Sequence, residues 1–270
     1  MSLQFSNTPL PDIIGLQNIN QTYDDGKSFV IKDLNLLIED KPNQGQFVVI
    51  IGASGCGKST ILRYIAGLQK PSSGEVLIKS QPRSDSDRIG MVFQQYSSFP
   101  WMTVLENVAL GLKYAGVSDK EAHPRAMEMI KTVGLDGHEK KFAKYPTLSG
   151  GQLQRVAIAR SLLVNQEILL MDEPFGALDT YTRLKMQDFL IGIWEKVHPT
   201  IILVTHDISE AVYLGDDIYI MSVNPGMIIE HIADDLPWHR TREIKRSKKF
   251  VDMIYYIEDK MMQLHSAIES

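Results

Sequence analysis

The sequence has almost no cysteine: Cys56 is the one thiol in 270 residues. That excludes an internal disulfide framework and any cluster of cysteine metal ligands, and it fits a reducing compartment. Positive charge is not in surplus, with 28 Lys and Arg against 33 Asp and Glu and a formal net charge of -5. The chain as a whole therefore carries no electrostatic footprint for nucleic acid. Long apolar runs are missing as well. The longest, such as residues 47–51, have the length of a strand and cannot span a bilayer. Residues 1–11 lack the basic start and apolar stretch of a secretion signal. Internal repeats and Gly/Ser linkers are absent too. What remains, 44% hydrophobic and 23% charged residues, is ordinary globular composition and excludes disorder and low complexity. The length suits one large domain or two small ones with an ample core.

Short apolar runs alternate with helix-length amphipathic stretches. The runs at 47–51, 168–171, 201–204 and 218–221 are apolar throughout rather than alternating, as in strands covered on both faces. They predict an α/β core with a mostly parallel sheet. Residues 13–19 and 29–38 read as antiparallel strands joined through Asp24-Asp25-Gly26. Between 103 and 163 the strand signals stop, and 103–115, 119–133 and 150–163 predict a helical insert. Beyond Trp238 the tail is basic, with six Lys and Arg within 240–249, read as a solvated face with a lipid or partner contact as the alternative. A helix follows, in which Phe250, Ile254, Ile257, Met261, Leu264 and Ile268 form one apolar seam. The seam suits packing on its own domain, or else a subunit contact.

The string Gly52-Ala53-Ser54-Gly55-Cys56-Gly57-Lys58-Ser59 matches G-x-x-x-x-G-K-[ST] and sits between an apolar strand and a helix pattern. Its glycines let backbone amides turn inward around phosphate oxygens, and the helix N-terminus adds positive potential. Lys58 is placed to contact the β- and γ-phosphates, the Ser59 hydroxyl to ligate Mg2+, and Thr60 continues the binding set. Cys56 occupies a variable position of the motif. Downstream, Ile168-Leu169-Leu170-Met171-Asp172-Glu173 is an apolar strand ending in two carboxylates. Asp172 can support Mg2+ through water, and Glu173 can polarise an attacking water as a general base. Paired with the phosphate loop, this strand predicts a Mg-dependent nucleoside triphosphatase.

Leu148-Ser149-Gly150-Gly151-Gln152 resembles the signature of ATP-binding-cassette (ABC) ATPases, and Arg155 and Arg160 follow in the expected helix. Ser149 and the glycine amides make an anion nest at a helix start. An ordinary Ser cap is what the string alone would suggest. The resemblance implies further roles. Tyr23 stands where an aromatic stacks on adenine, though a strand-end core tyrosine is the other reading. Gln94, after Gly90-Met91-Val92-Phe93, resembles the glutamine that reaches Mg2+ and links two subdomains, with Gln95 a bystander. Gly176-Ala177-Leu178-Asp179 resembles the D-loop, whose Asp179 communicates across a dimer. His206 matches the switch histidine that contacts the γ-phosphate and the catalytic glutamate, whereas His198 and His239 read as surface or packing residues. The implied fold is a P-loop ABC ATPase core with an antiparallel β subdomain and an inserted helical subdomain. On this pattern residues 13–98 and 166–235 form the core with its β subdomain, 99–165 the helical subdomain and 238–270 a C-terminal helical extension of one nucleotide-binding domain.

The likeness is to the ATPase subunits of nitrate/sulfonate/taurine-type importers, carried by Phe99-Pro100-Trp101-Met102-Thr103, Asp172-Glu173-Pro174-Phe175-Gly176 and Glu210-Ala211-Val212-Tyr213-Leu214. It implies ATP and Mg2+ as cofactors and a head-to-tail ATP sandwich of two copies, or of one copy and a closely related subunit. Each phosphate loop would be completed by Ser149, Gly150, Gly151 and Gln152 of the other protomer. It further implies two transmembrane permease subunits, an extracytoplasmic substrate-binding protein acting indirectly, no nucleic acid, and a peripheral position on the cytoplasmic face of the membrane. Tyr96 to Trp101 would form the permease contact, with Trp101 as anchor or else packed inside the helical insert. Exporter, lipid-transport, DNA-repair and translation ATPases are the rivals. The stretch between Lys58 and Ser149 leaves no room for a long coiled-coil insert, and that after His206 is too short for an added β-barrel regulatory domain. Three departures from the family pattern, at 40–43, Gly45-Gln46 and Asn224-Pro225-Gly226-Met227, are expected to touch no catalytic position.

Overall fold

The computed structural model describes residues 12–24, 26–41, 45–95, 97–164, 167–234, 236–237 and 239–269, with backbone alone at 12 and 264–269. Residues 1–11, Asp25, 42–43, Tyr96, Trp238 and the side chains of Leu264 and Ile268, all used in the sequence reading, lie outside the described residues. Strand β1 (Asp12–Gln21) pairs antiparallel with β2 (Ile31–Glu39), Leu16 opposite Leu36. In β2, Ile31, Leu34, Leu36 and Ile38 are buried with exposed residues between them, so this sheet has one covered face. Strand β3 (Gln46–Gly52) is buried at every residue and feeds helix α1 (Lys58–Ala66). Strands β4 (Ser73–Ile78) and β5 (Gln81–Pro82) complete a four-stranded sheet in the order β2-β1-β4-β5.

After the short strand β6 (Gly90–Val92) come helices α2 (Val104–Tyr114), α3 (Asp119–Thr132) and α4 (Gly150–Val164), close to the three expected from the sequence. Helix α2 starts at a reciprocal cap: Thr103 Oγ1 accepts the Glu106 N–H at 3.2 Å, and Glu106 Oε2 accepts the Thr103 N–H at 2.7 Å. Strand β7 (Ile168–Asp172), helix α5 (Thr180–Val197), strand β8 (Thr200–Thr205), helix α6 (Ile208–Leu214) and strands β9 (Asp217–Met221) and β10 (Ile228–Ala233) follow. A 3-10 turn (Arg242–Arg246) leads into helix α7 (Lys248–Glu269). The second sheet has six strands in the order β10-β9-β3-β8-β7-β6, parallel except for the β10–β9 pair.

The unbroken apolar runs have a direct cause. Val48, Ile50, Leu170, Ile202 and Val204 face α1 and the four-stranded sheet, in one cluster with Ile61, Leu62, Ile31 and Leu34. Phe47, Val49, Ile51, Leu169, Met171 and Leu203 face the other way, in a cluster with Ile158, Leu190, Val212 and Trp194. Each fully buried aliphatic side chain contributes about 1.5–3 kcal/mol, which favours apolar residues on both faces. Phe250 and Ile257 of α7 are buried in the second cluster, with Ile254 and Met261 half-buried against it. The described part of the seam thus packs on its own chain.

The solvated reading of the basic run needs correction at two residues. Arg240 is 5% exposed. Its guanidinium donates to the carbonyls of Tyr213, Leu214 and Gly215 and, at 2.7 Å, to Asp216 Oδ1. These are the orphan acceptors at the end of α6, where a planar fork of donors and a positive charge are both favourable. Lys245 is half-buried with its ammonium 3.9 Å from the Tyr213 ring centre. Neither partner is near in sequence, so charge patterning alone could not distinguish these two from their exposed neighbours. Among the described residues no helix is long and apolar enough to cross a membrane.

Candidate active site

The strand order gathers the site. Parallel strands β3, β8, β7 and β6 lie side by side, with Ile51 opposite Thr205, Val204 opposite Asp172 and Met171 opposite Val92. Their carboxyl ends form one edge, where open α/β sheets place ligands. The glycine-rich loop leaves β3 there, His206 follows β8, Asp172 and Glu173 end β7, and Gln94 lies just beyond β6.

Helix α1 opens at Gly57 in a left-handed conformation, φ 104°, with no side-chain cap. Its first-turn N–H groups are therefore free of side-chain partners, the arrangement that receives anions. A Cβ at Gly57 would lie 2.9 Å from Ile31 Cγ1, so both the dihedral and the packing require glycine. Lys58 Nζ donates to the carbonyls of Gly52 at 2.7 Å and Ala53 at 3.0 Å, folding its charge over the loop. Cys56 is buried, and burial pushes its thiol pKa up against the opposing charge of Lys58. A thiol held protonated is a poor nucleophile, in keeping with a packing role.

Ser59 Oγ donates to Asp172 Oδ1 at 2.7 Å. Burial raises the Asp172 pKa, the Ser59 hydrogen bond opposes the shift, and the adjacent Glu173 adds to it. Glu173 leaves the strand with φ 43°, its N–H donating to Val204 O at 3.0 Å. Its Oε2 accepts from Gln94 Nε2 at 3.4 Å and lies 3.1 Å from His206 Nδ1. A carboxylate only accepts, so Nδ1 carries the proton in this contact. Groups from three neighbouring strand ends thus meet at one carboxylate oxygen. A carboxylate steered in this way can take a proton from a water beside the phosphate loop.

Other expected residues have hydrogen-bond partners of their own. Ser149 and Gln152 cap α4: the Ser149 N–H donates to Gln152 Oε1 at 2.9 Å, and the Gln152 N–H to Ser149 Oγ at 3.4 Å. Gln152 Nε2 reaches His138 Nε2 at 3.0 Å. Among the described residues no hydrogen bond joins this cap, with Gly150 and Gly151, to the phosphate loop. Asp179 caps α5 through the N–H groups of Tyr181 and Thr182. Tyr23 is 69% exposed just past β1, its hydroxyl accepting from Gln69 Nε2 at 3.1 Å. His198 ends α5 in a left-handed conformation, and His239 pairs with Glu195. Trp101 is 67% exposed and tilted against Phe99, so it does not pack inside the helical insert.

Two contributors escaped the sequence reading. Arg160 of α4 donates to Ser97 O at 2.9 Å and Ser97 Oγ at 2.8 Å, tying the segment after Gln94 to the signature helix. Its place in a regular helix after the signature gave no hint of that partner. The Asn224-Pro225-Gly226-Met227 turn, expected to touch no catalytic position, backs the phosphate loop at Cys56. The Gly226 N–H donates to Val30 O at 2.8 Å, and a Cβ on Gly226 would collide with the carbonyl of Cys56. The turn backs the phosphate loop because β9 lies beside β3 in the sheet.

A family profile described as ABC transporter matches residues 33–176. The chain is 45% identical over 233 residues to the nitrate import ATP-binding protein NrtD of Synechocystis sp., covering 83% of this chain and 85% of that one. Over 225 residues it is 44% identical to the aliphatic sulfonates import ATP-binding protein SsuB of Bacillus cereus, with coverage of 83% and 85%. Among solved structures, MJ0796, described as a bacterial ABC transporter cassette, superposes with a TM-score of 0.66 at 37% identity over 82% of this chain and 98% of its own. It is known as a dimer and in a post-hydrolysis state with ADP and Pi. With a profile match over half its length and relatives this similar across most of it, the chain belongs to the ABC transporter family, as one of its ATPase cassettes.

Proposed function

We propose that this chain is the ATP-hydrolysing subunit driving an importer for a small anion or organic solute of the nitrate or sulfonate kind. The convergence of Gln94 and His206 on Glu173 Oε2 carries the hydrolytic reading. Glu173 acts as general base on water, His206 and Gln94 orient it, and Lys58 with the α1 amides holds the phosphates. Residues 52–60 line the triphosphate, and Tyr23 offers the face for adenine. Magnesium suits the donor set, since the Ser59 hydroxyl, Asp172 carboxylate and Gln94 amide are hard oxygen ligands. Bound there, Mg2+ would neutralise charge on the phosphates.

The assembly follows the same reading. Two cassettes, identical or closely related, sandwich two ATP molecules, with Ser149 to Gln152 of one facing the phosphate loop of the other and Asp179 near the seam. The signature cap bonds to Gln152 and His138, and a solved relative is dimeric; both support this. Residues 13–98 and 166–235 act as the core with its β subdomain, 99–165 as the helical subdomain and 238–270 as the extension. Exposed Phe93, Trp101 and Phe142 favour a permease contact on the helical side. The chain would then sit at the cytoplasmic face of the membrane, held by two permease subunits and served indirectly by a substrate-binding protein.

The deciding test is phosphate release by Glu173→Gln. It should retain ATP binding and lose about 10²–10⁴-fold in turnover, while Lys58→Ala loses binding itself. Near-normal turnover in Glu173→Gln would sink the assignment. In the assembled transporter, a loaded substrate-binding protein should stimulate hydrolysis.

A further inference from the structure

The two neighbours of His206 are pinned by side chains to which no role has been given. Thr205 Oγ1 accepts the Asp207 N–H at 3.1 Å and donates to Glu210 Oε2 at 2.8 Å. Asp207 Oδ1 accepts the Glu210 N–H at 3.0 Å. Both sides of the histidine are therefore tied to Glu210, a residue 5% exposed. Burial pushes the Glu210 pKa up, so its ionised form depends on nearby donors. Gln187 Nε2 donates to Oε1 at 3.3 Å, and the Arg183 guanidinium lies 3.9 Å from the same oxygen. Gln187 is itself 2% exposed, and its Oε1 accepts from Lys245 Nζ at 2.8 Å.

The polarity of this chain has one consistent solution. An ammonium only donates and a carboxylate only accepts. Gln187 must then show its carbonyl to Lys245 and its NH2 to Glu210. The Thr205 hydroxyl gives its proton to Glu210 and keeps a lone pair for the Asp207 N–H. Lys245 thus anchors the carbonyl end of the Gln187 amide whose other end serves Glu210. Without it, Gln187 Oε1 loses that donor, and the buried amide that braces Glu210 loses one of its two anchors.

We propose that Lys245 is a positioning residue for hydrolysis: through Gln187 and Glu210 it fixes the Thr205–Asp207 turn and so the aim of His206 at Glu173. The inference rests on the ATPase reading above, and it makes the C-terminal extension part of the device that sets the histidine. The 3-10 turn is well placed for this, since Arg240 clamps the far end of α6 and Lys245 covers Tyr213 on the same helix.

Lys245→Met in the full chain keeps an unbranched stem over Tyr213 and removes the donor. The expected result is a kcat for ATP lower by about 3- to 10-fold, with KM within about twofold of wild type and a melting temperature lowered by no more than about 5 °C. Lys245→Arg, which restores a donor, should recover most of the kcat. An unchanged kcat in Lys245→Met overturns the proposal. So does a loss in which KM and melting temperature move together and arginine gives no rescue. Glu173→Gln is assayed alongside. If wild-type hydrolysis survives that change, the ATPase assignment falls and this inference with it. If hydrolysis needs Glu173 but ignores Lys245, only the positioning role falls.

Discussion

A glutamate with φ 43° occupies a backbone region that costs a side-chain-bearing residue about 1–2 kcal/mol. Glu173 keeps that geometry because its N–H is held by Val204 and its carbonyl by the Gly176 N–H. The departure from strand geometry accompanies a side chain standing at the sheet edge between Gln94 and His206. Gly226 shows a second residue-scale constraint, one of volume. Gly226→Ala sets a methyl against the carbonyl of Cys56, and that carbonyl belongs to the loop that must shape itself around phosphate. We expect a stability loss of about 1–3 kcal/mol by denaturant titration, the usual cost of overpacking. Calorimetry should show weaker binding of a non-hydrolysable ATP analogue in the same variant. Wild-type values in both measurements would mean that the turn can retreat without disturbing the loop.

Helix α6 is held by side chains at both ends. Its N-terminal end is capped by Asp207 and its C-terminal end by Arg240, 25 residues beyond Gly215 in sequence. Asp216, which also accepts the Phe47 N–H at the start of β3, links the same arginine to the strand that carries the phosphate loop. Arg240→Met should therefore cost about 3–5 kcal/mol, because it leaves several carbonyls without their donor and a half-buried carboxylate without its cation. Trp101 gives the opposite expectation. Exposed and touching Phe99, it should lose less than about 1 kcal/mol as Trp101→Ala. If it anchors the proposed permease contact, that variant should bind permease less tightly while folding normally. Equal affinity and equal transport would remove the main support for this contact.

At the scale of the whole molecule, the proposed sandwich makes a prediction that no single chain can satisfy. Ser149→Arg spoils the signature and Lys58→Ala the phosphate loop. A mixed dimer retains one site with both parts intact. Mixing the two inactive proteins should restore part of the ATPase activity once mixed dimers are shown to form. Mixed dimers that bind no ATP at the intact pair would count against a site shared between protomers.

Features whose geometry follows from consecutive residues were legible in the sequence. The phosphate loop is one, because glycines at 52, 55 and 57 and a lysine at 58 fold against their own neighbours. The strands at 47–51, 168–171, 201–204 and 218–221 are another, since a segment covered on both faces must be apolar throughout. Weak strands such as β5 and β6, two and three residues long, carry too little pattern to be seen before their partners are known. Strand order decided the rest. Gln94 and Glu173 are 79 residues apart, and Glu173 and His206 are 33 apart. They meet because β6, β7 and β8 lie side by side with their ends level. The Gly226 turn reaches the phosphate loop because β9 flanks β3, and Arg240 reaches α6 because the chain returns past that helix. Such contacts depend on which surfaces bury one another, and no local pattern of side chains encodes that choice.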